Sequence, residues 1–218
     1  DQKISGVLVE PIQGEGGVVV PDNGYLRMVR ELCDRYNVLM ILDEVQTGLG
    51  RTGKLLACDY EKVKPDILCL GKSLSGGFYP ISATLANEDI MNVITPGTHG
   101  STFGGNPLAS AIGKRSLELL YEDNLIENSR IMGDYFKQSL LNLNSKIIKE
   151  VRGKGLWIGV ELYDSKFHAK DLCKLLLKKG LLCKETHKTV IRFAPPLTIS
   201  KNEIDWAITK IVEALKET

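Results

Sequence analysis

The chain has 218 residues, 43% of them hydrophobic, which is enough to fill the core of a globular domain. Its 28 basic and 27 acidic residues leave a net charge of +1, so no broad basic field is present to attract nucleic acid. The strongest apolar run ends at Asp43 and Glu44, far short of the roughly 18 residues that a membrane-spanning helix needs. We therefore expect neither nucleic acid nor a membrane as a partner.

Five cysteines are spread along the chain without a Cys-x-x-Cys pair or a histidine at metal-ligand spacing. This pattern predicts buried thiols in a reducing compartment and no metal site. The chain starts at Asp1 without a methionine and enters a strand-like run within three residues, which leaves no room for a signal peptide. We expect an upstream part to be missing and the location to be cytoplasmic, with the mitochondrial matrix as the alternative.

The first half of the chain alternates apolar runs with a helical pattern. Strands are predicted over 4–9, 38–45 and 67–70, with a helix over 23–36 that Asp22 or Asn23 can cap. This order is typical of βαβ units, and the apolar second and third strands predict a parallel sheet centre buried on both faces. A fourth run, 81–86, follows a turn too short for a crossover helix and should return antiparallel.

The second half has a different order of elements. A long helix over 107–120 leads to helix 128–143, strands 147–152 and 156–162, helix 169–179, strand 190–193 and helix 201–216. We predict an α/β fold: a mostly parallel sheet in a large domain over 1–122, which includes the connecting helix, and a smaller α+β domain over 123–218.

Charged side chains follow the three strands of the predicted parallel sheet, at Glu10, Asp43 and Lys72. Because ligands collect beyond the carboxyl ends of parallel strands, these residues should converge on one edge, although a charge there can simply mark the end of burial. A P-loop NTPase is an alternative, since Asp-Glu follows an apolar run and residues 48–54 nearly form a Walker A loop. Leu55 argues against it, because a Ser or Thr hydroxyl must hold magnesium at that position.

An acid and a lysine at one sheet edge meet the needs of pyridoxal phosphate (PLP), whose aldehyde is held as a Schiff base by a lysine. Lys72 would supply this amine, and the Asp43 carboxylate would favour the protonated ring nitrogen. Gln46 could donate to the phenolic oxygen of the ring. In the glycine-rich segment 100–107, which opens the long helix, Ser101 and Thr102 are candidate donors to the phosphate.

Four segments resemble the motif series of class III aminotransferases: residues 10–17, 42–48, 70–77 and 100–107, in the family's order. The resemblance covers roughly the second half of a family member. It implies a PLP-dependent transferase of fold type I that works as a homodimer through a ping-pong cycle. In that arrangement Ser101 and Thr102 reach the cofactor of the partner subunit.

Residues 71–80 and 191–197 are most similar to the ornithine branch of this family. That likeness implies transfer of an amino group from L-ornithine to a 2-oxo acid such as 2-oxoglutarate, giving L-glutamate 5-semialdehyde in proline and ornithine metabolism. Segment 156–162 is less typical of that branch, so acetylornithine or another ω-amino acid stays an alternative substrate. An inactive dimerisation module of the same fold is the alternative outside the enzymes.

The resemblance also assigns roles to individual residues. Lys72 would move the proton between substrate and cofactor, and Val45 would line the cofactor site beside the acid and amide already named. Arg192 would bind the α-carboxylate of 2-oxoglutarate or glutamate by its planar fork. Glu15 would pair with Arg192 while ornithine reacts and release it when the dicarboxylate arrives, and Glu10 would also contact substrate.

Overall fold

The computed structural model describes residues 3–163 and 168–217, which lie in two compact units. One unit consists of Asp1–Pro11, Pro21–Leu49 and Leu55–Asn124. The other consists of Ile12–Val20, Gly50–Lys54 and Leu125–Thr218. The long carboxyl-terminal segment of the second unit thus begins close to the predicted boundary after residue 122, and two short earlier segments belong with it. The assignment of domains in the whole protein stays a prediction.

The first unit is a four-stranded sheet with helices. Its regular elements are β1 (Gly6–Val9), α1 (Tyr25–Tyr36), β2 (Leu39–Asp43), β3 (Ile67–Leu70), β4 (Ala83–Ala86), α2 (Glu88–Met91) and α3 (Pro107–Glu122), with 3₁₀ turns at Ala57–Tyr60 and Lys72–Ser75. The strand order is β1-β2-β3-β4. The first three strands pair in parallel and β4 is antiparallel to β3, which confirms the predicted directions of the four strands.

The core of this sheet lies on one face of β2. Met40 and Leu42 are fully buried there and cluster with Leu26 and Cys33 of α1. The other residues of β2 are only half-buried, so the prediction of burial on both faces is wrong for the described residues. The predicted cap of α1 is also wrong: the helix follows Gly24, whose φ of 92° is in the left-handed region that glycine adopts without strain, and no side chain caps it.

The second unit is an α+β assembly, as predicted. Its elements are α4 (Leu125–Leu141), β5 (Ile148–Lys154), β6 (Trp157–Leu162), α5 (Ala169–Lys178), β7 (Lys184–Thr186), β8 (Val190–Phe193) and α6 (Lys201–Leu215). The four strands form an antiparallel sheet in the order β5-β6-β8-β7, and apolar side chains of the sheet and the three helices form its core. Across 3–163 and 168–217, no helix is long and apolar enough to cross a membrane.

Candidate active site

Three charged residues lie at the carboxyl ends of the parallel strands of the first sheet. Asp43 ends β2, the strand between β1 and β3, and is in register with Cys69 of β3. Glu10 follows β1 directly, and Lys72 comes two residues after the end of β3. The structure therefore places Asp43 on the strand between those that precede Glu10 and Lys72, the arrangement that the order of the strands predicts.

Lys72 begins a short 3₁₀ turn and has a backbone φ of 43°, in the left-handed region. A non-glycine residue there carries a strain of roughly 1–2 kcal/mol, which persists when the surrounding structure imposes it. The preceding Gly71 is buried, and a Cβ atom built on it would lie 3.4 Å from Cγ1 of Val45. A tight backbone path thus carries the lysine out of the sheet beside the turn that follows β2.

Lys72 lines a cleft of about 520 Å³ within the first unit. The other lining residues come from the segment before β4 and from the start of α3: Pro80, Ile81, Ser82, Phe103, Gly104, Gly105 and Ala109. The glycine-rich segment and the lysine, predicted separately from the sequence, therefore face the same space in one chain.

The start of α3 is held by local hydrogen bonds. Asn106 is the N-cap, with Oδ1 accepting from the amide of Ala109 at 2.9 Å, and Pro107 occupies the first helical position. Ser101 Oγ accepts from the amide of Gly104 at 2.9 Å. Ser101 and Thr102 are both exposed, so their hydroxyls lie at the surface of the turn that opens this helix.

The turn after β2 is built around a carboxylate that sequence reasoning did not single out. Glu44 is 1% exposed and accepts hydrogen bonds from the Thr47 hydroxyl and from the amides of Ala57 and Cys58, at 3.0 and 2.8 Å. Asp43 Oδ1 accepts from the amide of Val45 at 2.9 Å. The turn also carries Gln46, which is half-buried. Glu44 therefore holds the turn, whereas Asp43 is half-buried at the carboxyl end of β2.

Arg192 and Glu15 form an ion pair in the second unit. Nη1 of Arg192, on β8, lies 2.8 Å from Oε1 of Glu15, and Nζ of Lys184 on β7 lies 3.8 Å from Oε2. The Arg192 side chain is only 16% exposed, whereas that of Glu15 is 61% exposed. The Thr186 hydroxyl donates to the backbone carbonyl of Glu15 at 2.7 Å. The acid is therefore the more accessible and more easily displaced partner of the pair.

A second arginine of this unit also escaped the sequence reasoning. Arg51 is held among backbone carbonyls, with Nη1 donating to Leu156 at 3.1 Å and to Pro195 at 2.5 Å. Burial lowers the pKa of this guanidinium to about 10. The sequence does show an arginine among the three glycines of residues 48–54, a feature that could have indicated a special role for Arg51. The resemblance of these residues to a Walker A loop drew attention to the glycines instead. Arg51 binds the chain that leaves β8 three residues after Arg192.

The sequence-predicted residues thus fall into two sets. Lys72, Asp43 and Gln46 belong to the first unit together with the glycine-rich segment, and Arg192 and Glu15 belong to the second. The first set offers a primary amine at a cleft, with a carboxylate on the adjacent strand. Such a pair can condense with a carbonyl group and hold a positive charge beside it. The second set offers a half-buried guanidinium able to bind a carboxylate.

Comparisons with known proteins agree with this chemistry. The chain matches the family described as aminotransferase class-III over residues 1–215. It is 54% identical over 211 residues to a protein named ornithine aminotransferase 2 from Staphylococcus saprophyticus. The matched residues make up 97% of this chain and 52% of that protein. A protein named ornithine aminotransferase from Staphylococcus epidermidis is 53% identical over 97% of this chain and 52% of its own length.

Solved structures give the same result. An ornithine aminotransferase from Plasmodium yoelii matches with a TM-score of 0.96 and 48% identity, covering 100% of this chain and 58% of that one. An acetylornithine aminotransferase from Elizabethkingia anophelis matches with a TM-score of 0.92 and 49% identity, covering 97% of this chain and 56% of that one. These matches confirm the predicted fold class. The chain spans about half the length of the curated relatives it matches, and it belongs to the class-III aminotransferase family.

Proposed function

We propose that the protein containing this chain is a PLP-dependent ornithine δ-aminotransferase. It would convert L-ornithine and a 2-oxo acid, 2-oxoglutarate, to L-glutamate 5-semialdehyde and an L-amino acid. The observation that carries the proposal is Lys72 at its cleft, next to the strand that ends in Asp43. The relatives named ornithine aminotransferase support the choice of substrate.

The residues of the first unit have the chemistry that PLP requires. The Lys72 amine would hold the cofactor, the Asp43 carboxylate would face its ring nitrogen and Gln46 its phenolic oxygen, beside Val45. The glycine-rich segment supplies backbone amides at a helix start and the exposed hydroxyls of Ser101 and Thr102, which suit a phosphate and, in the proposed homodimer, would serve the cofactor of the partner subunit. When bound, the cofactor supplies an aldehyde that condenses with amines and a ring that accepts electrons.

The residues of this chain would then bind, orient and transfer protons. Once the substrate amine has replaced it on the cofactor, the Lys72 Nζ atom would be free to act as a base. It would take a proton from the substrate carbon and deliver it to the cofactor. The Asp43 carboxylate would hold the proton on the ring nitrogen, because an opposite charge stabilises the protonated form. Glu44 fixes the turn that follows Asp43 and carries Gln46, by accepting hydrogen bonds from the amides of Ala57 and Cys58.

Two substrates of different charge would be distinguished through Arg192. We propose that Glu15 neutralises this guanidinium while ornithine reacts through its terminal amine. The dicarboxylate substrate, 2-oxoglutarate or glutamate, would then displace Glu15. What supports this switch is the 2.8 Å ion pair and the greater exposure of Glu15. Glu10, at the edge of the first sheet, is a further proposed substrate contact.

Acetylornithine or another ω-amino acid is the second candidate substrate, favoured by the 49% identity to a solved acetylornithine aminotransferase. A dimerisation module without activity is the alternative outside the enzymes. The lysine and acid at adjacent strand ends count against it, because a binding module has no use for a nucleophilic amine at a cleft. A homodimer in which Ser101 and Thr102 reach the partner subunit's cofactor is a proposal from the family resemblance. A cytoplasmic location, with the mitochondrial matrix as the alternative, is a proposal as well.

The first experiment measures the visible absorbance of the full-length protein after PLP is added and excess is removed. We expect a bound chromophore that ornithine bleaches and acetylornithine leaves unchanged. The Lys72→Ala variant should lose the wild-type band, whereas Lys64→Ala, at an exposed lysine, should keep it. Bleaching by acetylornithine alone would show that acetylornithine, and not ornithine, is the substrate. A wild-type protein that takes up no cofactor would refute the proposal that it is a PLP-dependent enzyme.

The second experiment tests the switch with Glu15→Ala and Arg192→Lys. Loss of the planar fork should raise the KM for 2-oxoglutarate by roughly tenfold to hundredfold, since hydrogen bonds to charged groups contribute about 1.5–3 kcal/mol. Glu15→Ala should leave that KM unchanged or lower, and should increase reaction at the α-amine of ornithine relative to the δ-amine. If the ratio of the two ornithine products stayed the same, the switch would be wrong.

A further inference from the structure

Two cysteines of the second unit lie side by side although they are ten positions apart in the sequence. The Sγ atom of Cys183 lies 3.5 Å from that of Cys173. Cys173 is on α5, and Cys183 comes directly before β7. The chain reverses between them at Gly180, whose φ of 86° is one that glycine adopts readily. All five cysteines of the chain are free thiols in this structure, including these two.

The pair combines a buried thiol with an accessible one. Cys173 is 8% exposed, and Cys183 is half-buried between the exposed residues Leu182 and Lys184. The hydrogen bond that the Cys183 thiol donates lowers the pKa of Cys173, because a thiolate is the better acceptor, and raises the pKa of Cys183. By contrast, burial raises the pKa of both Cys33 and Cys58 in the first unit.

We propose that Cys173 and Cys183 are a modification site, a dithiol that hydrogen peroxide converts to an intramolecular disulfide. The geometry needs little change. A disulfide bond is about 2.05 Å long, so the two sulfur atoms must approach each other by roughly 1.5 Å. Rotation of the Cys183 side chain and a small movement of the loop before β7 would provide this, since Leu182 in that loop is exposed and Cys183 is only half-buried.

The chemistry is complete with peroxide as the only co-reactant. The Cys173 thiolate attacks one peroxide oxygen, the O–O bond breaks, and the released hydroxide takes up a proton to become water. The Cys183 sulfur then attacks the sulfur of the resulting sulfenic acid, which loses its hydroxyl group as a second water. Two thiols and one peroxide thus give one disulfide and two waters. The sulfurs are oxidised, and both peroxide oxygens are reduced.

The test maps disulfides in the full-length protein after graded exposure to hydrogen peroxide. Remaining thiols are alkylated under denaturing conditions, and the protein is digested with trypsin without reduction. We expect a cross-linked pair of peptides, residues 171–174 and 180–184, that dithiothreitol separates. Cys58 is the internal control, because it is 1% exposed and its thiol has a raised pKa. The cross-link should form at least roughly tenfold faster than Cys58 loses its free thiol.

Variants separate pairing from simple oxidation of one thiol. Cys183→Ser should form no cross-link, and its Cys173 should progress to sulfinic acid, because the thiol that resolves the sulfenic acid is gone. The proposal is wrong if Cys173 and Cys183 of the unmodified protein lose their thiols no faster than Cys58 does. Cross-links that join either cysteine to another one would overturn it equally. These readouts do not depend on bound PLP or on turnover, so they stand apart from the proposed function.

Discussion

Replacing Glu44 by glutamine should weaken the turn that follows Asp43 and carries Gln46. The carboxylate has two acceptor oxygens: Oε1 accepts from the Cys58 amide at 2.8 Å, and Oε2 accepts from the Ala57 amide at 3.0 Å and from the Thr47 hydroxyl. Glutamine keeps one oxygen and places an NH₂ group at the position of the other. That group cannot accept a hydrogen bond, so one buried backbone amide would face another donor.

The magnitude follows from the best placement of the new amide. With its oxygen toward Ala57, glutamine keeps that bond and can still accept from the Thr47 hydroxyl, and the Cys58 amide loses its acceptor. A hydrogen bond to a charged group contributes about 1.5–3 kcal/mol, and the site is 1% exposed, so water cannot replace it. We expect the local opening free energy at Cys58 to fall by about 2–3 kcal/mol.

Hydrogen exchange measures this change at the residues concerned. Because about 1.4 kcal/mol corresponds to a factor of ten, the amide of Cys58 should exchange roughly thirtyfold to hundredfold faster in Glu44→Gln than in the wild type. Glu31→Gln, the same substitution at an exposed position of α1, should leave that amide unchanged. An increase of less than about threefold in a folded Glu44→Gln protein would refute the view that the carboxylate holds this turn.

Two further perturbations test the second unit. Hydrogen bonds from Lys149 and Arg152 lower the pKa of Glu161 below its ordinary value of 4.5, so the stability it contributes is present above that pH and lost as the pH falls through the lowered pKa. Glu161→Gln should therefore flatten the decline of the thermal midpoint below about pH 4.5, and an unchanged decline would refute this. In Gly133→Ala, the new Cβ atom would lie 2.1 Å from the backbone of Gly155, a clash that should cost several kcal/mol and abolish soluble expression. A soluble Gly133→Ala protein with the thermal midpoint of the wild type would contradict the close contact between Gly133 and the backbone of Gly155.

Strands were the most predictable part of the fold. The bounds of β3 and β8 agree with the sequence pattern, because each is a short run with a clear end: β3 is apolar throughout, and β8 is made of β-branched and aromatic residues apart from Arg192. β7 has three residues and no apolar alternation, and it exists by pairing with β8. The start of α1 was missed for a similar reason: the backbone freedom of Gly24 replaces a side-chain cap, and such freedom leaves no periodic signal.

The candidate site divides in the same way. Glu10, Asp43 and Lys72 could be predicted together because parallel strands end at one edge, so their convergence follows from the order of the elements alone. Glu15 and Arg192 are 177 positions apart, and no local pattern relates them, so only the family resemblance suggested the pair. Cys173 and Cys183 were treated as unrelated buried thiols, since a separation of ten residues across a helix end matches no known motif.

Two short segments from the first half of the chain, Ile12–Val20 and Gly50–Lys54, belong to the second unit, and the same kind of hydrogen bond holds both of them there. This arrangement also bears on the proposed switch. Side chains from distant parts of the sequence bind their backbone carbonyls: Nη2 of Arg152 donates to Gly17 at 2.7 Å, and the Ser129 hydroxyl donates to Arg51 at 3.1 Å. Such bonds have no sequence signature, because the acceptor is the peptide group that every residue carries. They hold the segment that contains Glu15 in the same unit as Arg192. The spacing of the ion pair is therefore set within one unit, so a carboxylate that displaces Glu15 needs to move only that side chain.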